Sequence, residues 1–180
     1  IGHATTLPKD LKTLAEIQPV VDELSEKVAA RLRRHGYRAS TIHVVLRFRD
    51  FTSRGEQMTM SDATDDGLRI SREVIRILKH FLPLPRRGSV RGRHVGAGGE
   101  VFPQPVRLVG VSVEKLVRAN PEQSSLFTKD RRWRAATRAL DQANGRYGEW
   151  TVQRASLLAK ERYLRKVAAA FRATSHLKER

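Results

Sequence analysis

Apolar residues in the first 82 positions recur at two different periods. Residues 14–34 repeat them at steps of three and four, which predicts an amphipathic helix ended near Gly36. Its apolar positions are Ile17, Val21, Leu24, Val28 and Leu32. A second such helix follows the helix-starting cluster at 61–67. Its buried side is expected to hold Ile70, Val74, Ile77, Leu78 and Phe81.

Residues 40–51 alternate instead with a period of two, which predicts a half-buried strand. One face carries Ile42, Val44, Leu46 and Phe48, and the other carries His43, Val45, Arg47 and Arg49. Residues 52–60 are interpreted as the second strand of a hairpin, with Gly55 able to form a bulge.

Two further strands complete the pattern. Residues 1–7 are short and β-prone, and Pro8, Lys9 and Asp10 are expected to end that strand. A loop rich in Pro and Gly is expected at 83–104, and the apolar run at 106–117 predicts a central strand. The order βαββαβ predicts an α+β fold, a four-stranded antiparallel-type sheet with two helices on one face.

Charge narrows the choice of partner. The 180 residues contain 35 Lys and Arg against 19 Asp and Glu, a formal net charge of +16. Such an excess indicates a polyanion, with nucleic acid before an anionic membrane. Cysteine is absent, which excludes disulfides and cysteine-based metal sites, and no apolar run approaches the roughly 18 residues of a spanning helix. The opening lacks Met, so we expect a piece of a longer protein.

The C-terminal third is more basic still. Residues 129–180 hold 14 Lys or Arg against 5 Asp or Glu. Helical spacing of Trp133, Ala136, Leu140 and Ala143 predicts one helix, and a second is expected from about Val152 toward Phe171. Whether this tail and the loop at 83–104 touch DNA or are simply solvated stays open at this point.

No constellation for catalysis is apparent in the sequence. The paired acids Asp65 and Asp66 stand where a helix begins, which favours a capping role over metal binding. The six histidines are scattered, and the glycines at 96–99 lack the strand–turn–helix setting of a phosphate loop. We therefore predict no catalytic residue, no metal site and no cofactor within these 180 residues.

Three stretches together resemble a known family. "IGHATTL", "STIHVVLRFRDFTSRG" and "VRLVGVS" are similar, in this order, to the little finger domain of Y-family (translesion) DNA polymerases of the DNA polymerase IV type. The tail "QSSLF…ALDQANGRYG…VQRASLL" resembles the C-terminal extension of some bacterial members. The resemblance implies a little finger at 1–117, a linker with a clamp-binding peptide at 118–130 and a basic helical tail at 131–180.

The resemblance also implies a function. The sheet would lie along duplex or primer-template DNA in a bacterial, cytoplasmic, nucleoid-associated protein that acts in damage bypass and repair. The parent would be a DNA-directed DNA polymerase using magnesium, with its catalytic palm outside this sequence. The resemblance implies phosphate contacts, which position DNA without reading bases, at the matching residues Gly2, Thr6, Ser53, Arg54, Gly55 and Arg107. His3, a further candidate, stands where the family often has a basic residue. Arg47 and Arg49 are added from strand alternation alone.

The connector at 120–130, "NPEQSSLFTKD", carries two large apolar residues that no periodicity explains. It resembles the sliding-clamp-binding pentapeptide Gln-x-Ser/Asp-Leu-Phe of translesion polymerases. Gln123, Ser125, Leu126 and Phe127 match its fixed positions, and residue 124 is the variable one. Leu and Phe suit an apolar pocket on a bacterial clamp, and Gln suits orienting hydrogen bonds. The alternative is that the apolar pair folds back on this chain's own helices.

A second function class is a free-standing RNA- or ribosome-binding protein with a ferredoxin-like sheet. Such a sheet needs exposed aromatic side chains on which bases can stack. Aromatic residues make up only 6% of this chain, and its outward strand positions carry His and Arg. The composition therefore favours duplex phosphates over single-stranded RNA.

Overall fold

The computed structural model describes residues 1–83, 100–119, 128–148 and 150–158. Within these ranges the chain forms four strands and four helices, the last a single turn. In order they are β1 (Gly2–Thr13), α1 (Leu14–Arg34), β2 (Tyr37–Phe48), β3 (Ser53–Thr64), α2 (Gly67–His80), β4 (Val101–Arg118), α3 (Thr128–Tyr147) and α4 (Ala155–Leu158).

The strands form one antiparallel sheet in the order β1-β4-β2-β3. The prediction of an α+β fold with the order βαββαβ is confirmed, and so is the central position of the last strand. β4 is a central strand because it pairs with both β1 and β2, and the first and last strands of the sheet are therefore neighbours. β1 and β3 are its edges.

The core lies between one face of the sheet and the helices α1 and α2. Alternate residues of β2 and β4 point into it, and the amphipathic stripe predicted for each helix faces them. The most completely buried large side chains include Ile17, Leu24, Leu32, Ile42, Leu46, Ile70, Ile77 and Leu78.

Capping residues set the helix boundaries. Thr13 and Glu16 form a capping box at the start of α1, and the backbone hydrogen bonds that Glu16 accepts from residues 12 and 13 lower the pKa of its carboxyl group. Gly36 follows α1 with a φ of +68°, as the cap prediction requires. Asp66 caps α2 by accepting a hydrogen bond from the Leu68 amide, which confirms the capping interpretation for this residue.

Several predicted boundaries are wrong. Pro8, Lys9 and Asp10 do not end β1, because the edge strand absorbs them in a register shift between Thr6 and Leu11. β3 extends to Thr64, so the first part of the 61–67 cluster is strand. Gly55 forms no bulge and pairs regularly with Val45. β4 begins at Val101, inside the predicted loop, of which residues 84–99 lie outside the described ranges.

The described part of the C-terminal segment packs on the helices through ion pairs. Arg33 of α1 donates to both carboxylate oxygens of Asp141 in α3, at 2.6 and 2.8 Å, and to Glu26 at 3.0 Å. Arg154 reaches Glu26 at 3.3 Å and Asp66 at 3.4 Å. Burial works against the charge of Arg33, yet its bonds to Asp141 and Glu26 raise the pKa above its usual value. We call these five residues the ion network.

Replacing the centre of the ion network should destabilise the fold. The Arg33 side chain is only 10% exposed, so Arg33→Met leaves Asp141 without its arginine and leaves the buried Glu26 with Arg154 alone. We expect a loss of about 3–5 kcal/mol in the free energy of unfolding, measured by urea denaturation. The control is Arg76→Met, because Arg76 is 66% exposed and should cost no more than about 0.5 kcal/mol. Equal losses in the two variants would refute a structural role for the network.

Candidate nucleic-acid interface

Within the part of the chain that the structure describes, no helix or strand covers the sheet face that points away from α1 and α2. Directly paired residues of neighbouring strands project to the same side, so the strand registers define three rows across this face. We call these rows the open face: Gly2, Ser112, His43 and Gln57; Ala4, Gly110, Val45 and Gly55; Thr6, Leu108, Arg47 and Ser53.

Three glycines of the open face lie where neighbouring side chains already fill the space. A Cβ atom built at Gly110 would lie 3.3 Å from the Ala4 Cβ, and one at Gly2 would lie 2.7 Å from the Ser112 Cβ. A Cβ at Gly55 would lie 3.2 Å from the His43 ring. A larger side chain at these positions would therefore displace its neighbours on the face.

None of the residues in these three rows is Phe, Tyr or Trp, and the imidazole of His43 is the one ring among them. A sheet that stacks single-stranded bases needs aromatic side chains at such positions. The geometry suits contacts with a regular backbone better than contacts with splayed bases, which argues against the RNA-binding alternative.

Three arginines lie at one end of the open face, beside the turn between β2 and β3. Arg107 is the extra residue of a bulge, since Arg47 pairs with Leu108 whereas Phe48 pairs with Val106. Its Nε lies 3.2 Å from Asp10, and its guanidinium lies 5.1 Å from the ring centroid of Phe51. Arg49, 73% exposed, is 3.9 Å from Asp10. We call this group the turn cluster: Asp10, Arg47, Arg49, Phe51 and Arg107.

Hydrogen bonds fix the turn beneath this cluster. The Phe48 amide donates to the Thr52 carbonyl at 2.9 Å, and the Phe51 amide donates to the Phe48 carbonyl at 3.0 Å. Asp50 accepts from the Thr52 hydroxyl at 2.6 Å and from its amide at 3.0 Å, and these bonds lower the pKa of the Asp50 carboxyl group. The turn therefore presents its side chains in one defined arrangement.

The structure divides the predicted DNA-binding residues into three groups. Gly2, Thr6, Arg47, Ser53 and Gly55 share the open face. Arg49 and Arg107 belong to the turn cluster at its end.

His3 and Arg54 lie on the helix side of the two edge strands. His3 pairs with Val111 and Arg54 pairs with Leu46, and both partners are core residues. The Arg54 guanidinium lies 5.1 Å from the Phe81 ring at the end of α2. Alternation along Ser53, Arg54 and Gly55 was the signal in the sequence that separates Arg54 from its neighbours.

Sequence reasoning did not single out Asp10 or Phe51 as site residues. Asp10 was interpreted as part of a strand-breaking cluster, and Phe51 was not assigned to either face of its strand. Both join the arginines only through the bulges in β1 and β4 and through the turn after β2. The clamp-peptide candidates Gln123, Ser125, Leu126 and Phe127 lie outside the described residues.

Within the described ranges, no group of three or more His, Cys, Asp or Glu is arranged to hold a metal ion. In the same ranges, no helix combines the length and the apolar character needed to cross a membrane.

Comparison with known proteins identifies the family. Residues 1–126 match the model of the impB/mucB/samB family C-terminal domain. The chain is 35% identical over 157 residues to DNA polymerase IV of Moorella thermoacetica, covering 86% of this chain and 34% of that protein. It is 32% identical over 166 residues to DNA polymerase IV of Pelotomaculum thermopropionicum, covering 92% and 37%.

The chain thus spans about a third of the length of these relatives. The family match extends over the whole sheet and both helices of the core, and ends just before α3. The chain belongs to the impB/mucB/samB family, as a C-terminal domain of the Y-family DNA polymerases.

Proposed function

We propose that this domain is a little finger that grips duplex or primer-template DNA on its open face. The observation that carries the proposal is the sheet face without Phe, Tyr or Trp, bordered at one end by Arg47, Arg49 and Arg107. Small hydroxyl side chains on this face can donate to phosphates, and arginines neutralise them.

The proposed contacts fall into a central set and an edge set. Gly2, Thr6, Ser53 and Gly55 supply backbone amides and hydroxyls on the open face, and the arginines at its end supply charge. His3 and Arg54 would contact phosphates only where DNA extends around an edge of the sheet. This arrangement positions DNA and carries no code for base sequence.

We propose that the whole protein is a DNA-directed DNA polymerase of the DNA polymerase IV type that acts in translesion synthesis and repair. Its magnesium-binding carboxylates would belong to a palm outside these 180 residues, and this chain would supply grip and docking. The relatives bear the name DNA polymerase IV, and the match to the C-terminal domain model supports this division. A bacterial, nucleoid-associated location in the cytoplasm follows from the same proposal.

Residues 123–127 are proposed to dock on the bacterial sliding clamp. The support is the match of Gln123, Ser125, Leu126 and Phe127 to the pentapeptide, and its place between β4 and α3. We propose accordingly that 1–117 forms the little finger, 118–130 the linker and 131–180 the basic tail.

Binding to duplex DNA should lose affinity steeply with salt and show little sequence preference. Each phosphate contact neutralised by arginine contributes about one to the slope of log affinity against log salt. Fluorescence anisotropy with several unrelated duplexes at several salt concentrations measures both properties. An affinity that does not change with salt, or a strong preference for one sequence or for single-stranded RNA, would refute the proposal.

Arg47 and Arg54 form a matched pair for assigning the binding face. They flank the same turn, but Arg47 lies on the open face and Arg54 on the helix side. Arg47→Ala should weaken all duplexes about equally and lower the salt slope by roughly one, as should Arg107→Ala. Arg54→Ala should have a smaller effect. If Arg54→Ala weakens binding more than Arg47→Ala does, the DNA binds at the β3 edge and not on the open face.

The double change Leu126→Ala and Phe127→Ala should abolish binding to a bacterial sliding clamp, measured by surface plasmon resonance. Each buried apolar side chain contributes about 1.5–3 kcal/mol, which is most of the energy of a short peptide anchor. DNA affinity and melting temperature should stay unchanged. Val117→Ala, which shortens a half-exposed apolar side chain of β4, is the control. Loss of folding in the double variant would show that the pair belongs to the chain's own core.

A further inference from the structure

Phe51 is an unusual residue for its place in the hairpin. The hydrogen bonds between Phe48 and Thr52 close a three-residue loop whose last position is left-handed, and Phe51 adopts φ +65° there. Glycine and asparagine tolerate that conformation, and large side chains rarely adopt it. The Phe51 side chain is nevertheless 67% exposed, so burial in the core does not compensate for the backbone conformation. A strained residue with an exposed ring at the edge of a binding face indicates a functional role.

The ring is held from one side. The Arg107 guanidinium lies 5.1 Å from its centroid, and Asp10 fixes that guanidinium through a contact of 3.2 Å. The hydrogen bonds of the turn fix the backbone on either side of Phe51. The aromatic surface is therefore oriented before any partner arrives, which lowers the entropic cost of binding.

The surroundings of the ring select the class of partner. Arg47, Arg49 and Arg107 outnumber the carboxylates of Asp10 and Asp50 around the turn, and Arg47 donates only to the uncharged Ser53 hydroxyl, so the ligand should be anionic. An exposed aromatic ring within a basic surface is the combination that binds single-stranded nucleic acid, because every base has a face on which to stack.

From these observations we propose that Phe51 stacks on an unpaired nucleobase next to the duplex held on the open face. The proposal rests on the proposed function, since Phe51 lies directly beyond the row of Arg47 and Ser53. Arg107 covers one side of the ring and the base covers another, which gives a guanidinium–ring–base stack. The contact would hold the junction between duplex and single strand without selecting a base.

The test compares a blunt duplex with the same duplex carrying a single-stranded overhang, at its 3′ or its 5′ end, by fluorescence anisotropy. The wild-type chain should bind one overhang on the order of tenfold more tightly than the blunt end. Phe51→Asn should remove this preference and leave blunt-duplex affinity within about twofold, whereas Phe51→Trp should keep it. 2-Aminopurine in the overhang should change its fluorescence with the wild type only.

Stability provides an independent readout. Asparagine tolerates the left-handed conformation, so Phe51→Asn should raise the melting temperature while it removes the overhang preference. Val117→Ala serves as the control, because Val117 is another exposed apolar residue, at the opposite end of β4. It should leave the overhang preference unchanged.

Several results would overturn the proposal. The first is a wild-type chain that binds the overhang and blunt duplexes equally well, and the second is an overhang preference that survives Phe51→Asn. The third is a Phe51→Asn variant that loses as much affinity for the blunt duplex as for the overhang duplex. The fourth is a lower melting temperature for Phe51→Asn. If the chain binds single strands through Phe51 but does not bind blunt duplex, the proposed grip on the open face is refuted and the stacking site is supported. A chain that binds neither DNA would refute both.

Discussion

The pairing of β4 between β1 and β2 is the constraint on which the rest of the structure depends. Its alternate residues Val109, Val111 and Val113 face the helices, so Leu108, Gly110 and Ser112 must face outward. A slip of one residue would exchange the two sets and expose the core. The same register that closes the core therefore determines which residues form the open face, and it links stability and the proposed binding through one strand.

Arginines are paired with carboxylates more completely on the helix side of the sheet than at the end of the open face. On the helix side, Arg33 and Arg154 are largely buried and matched by Glu26, Asp66 and Asp141. At the end of the open face Arg49 and Arg107 share Asp10, Arg47 donates to the Ser53 hydroxyl, and all three remain partly exposed. Neutralised cations stabilise the fold, whereas the incompletely paired ones remain able to bind an anion. The net charge of +16 alone does not separate these two roles.

Periodicity predicted most of the fold, because the amphipathic stripes of α1, α2 and β2 report directly on the core. It failed where tertiary pairing overrides local propensity. The edge position of β1 tolerates Pro8, and β4 includes Pro103 and Pro105 within a strand that begins at Val101. Bulges cannot be located from one sequence, so the meeting of Asp10 with Arg107 could not be predicted.

The placement of Arg54 illustrates how a family motif and strand geometry give different information. The Ser-Arg-Gly motif places three consecutive residues in one candidate site, but consecutive strand residues point to opposite faces. Ser53 and Gly55 therefore share the open face, and Arg54 packs over Phe81 on the other. Its charge still lies at an edge strand, within reach of a phosphate that extends past the sheet. The motif thus identifies a segment of β3, and the register assigns each side chain within it to a face.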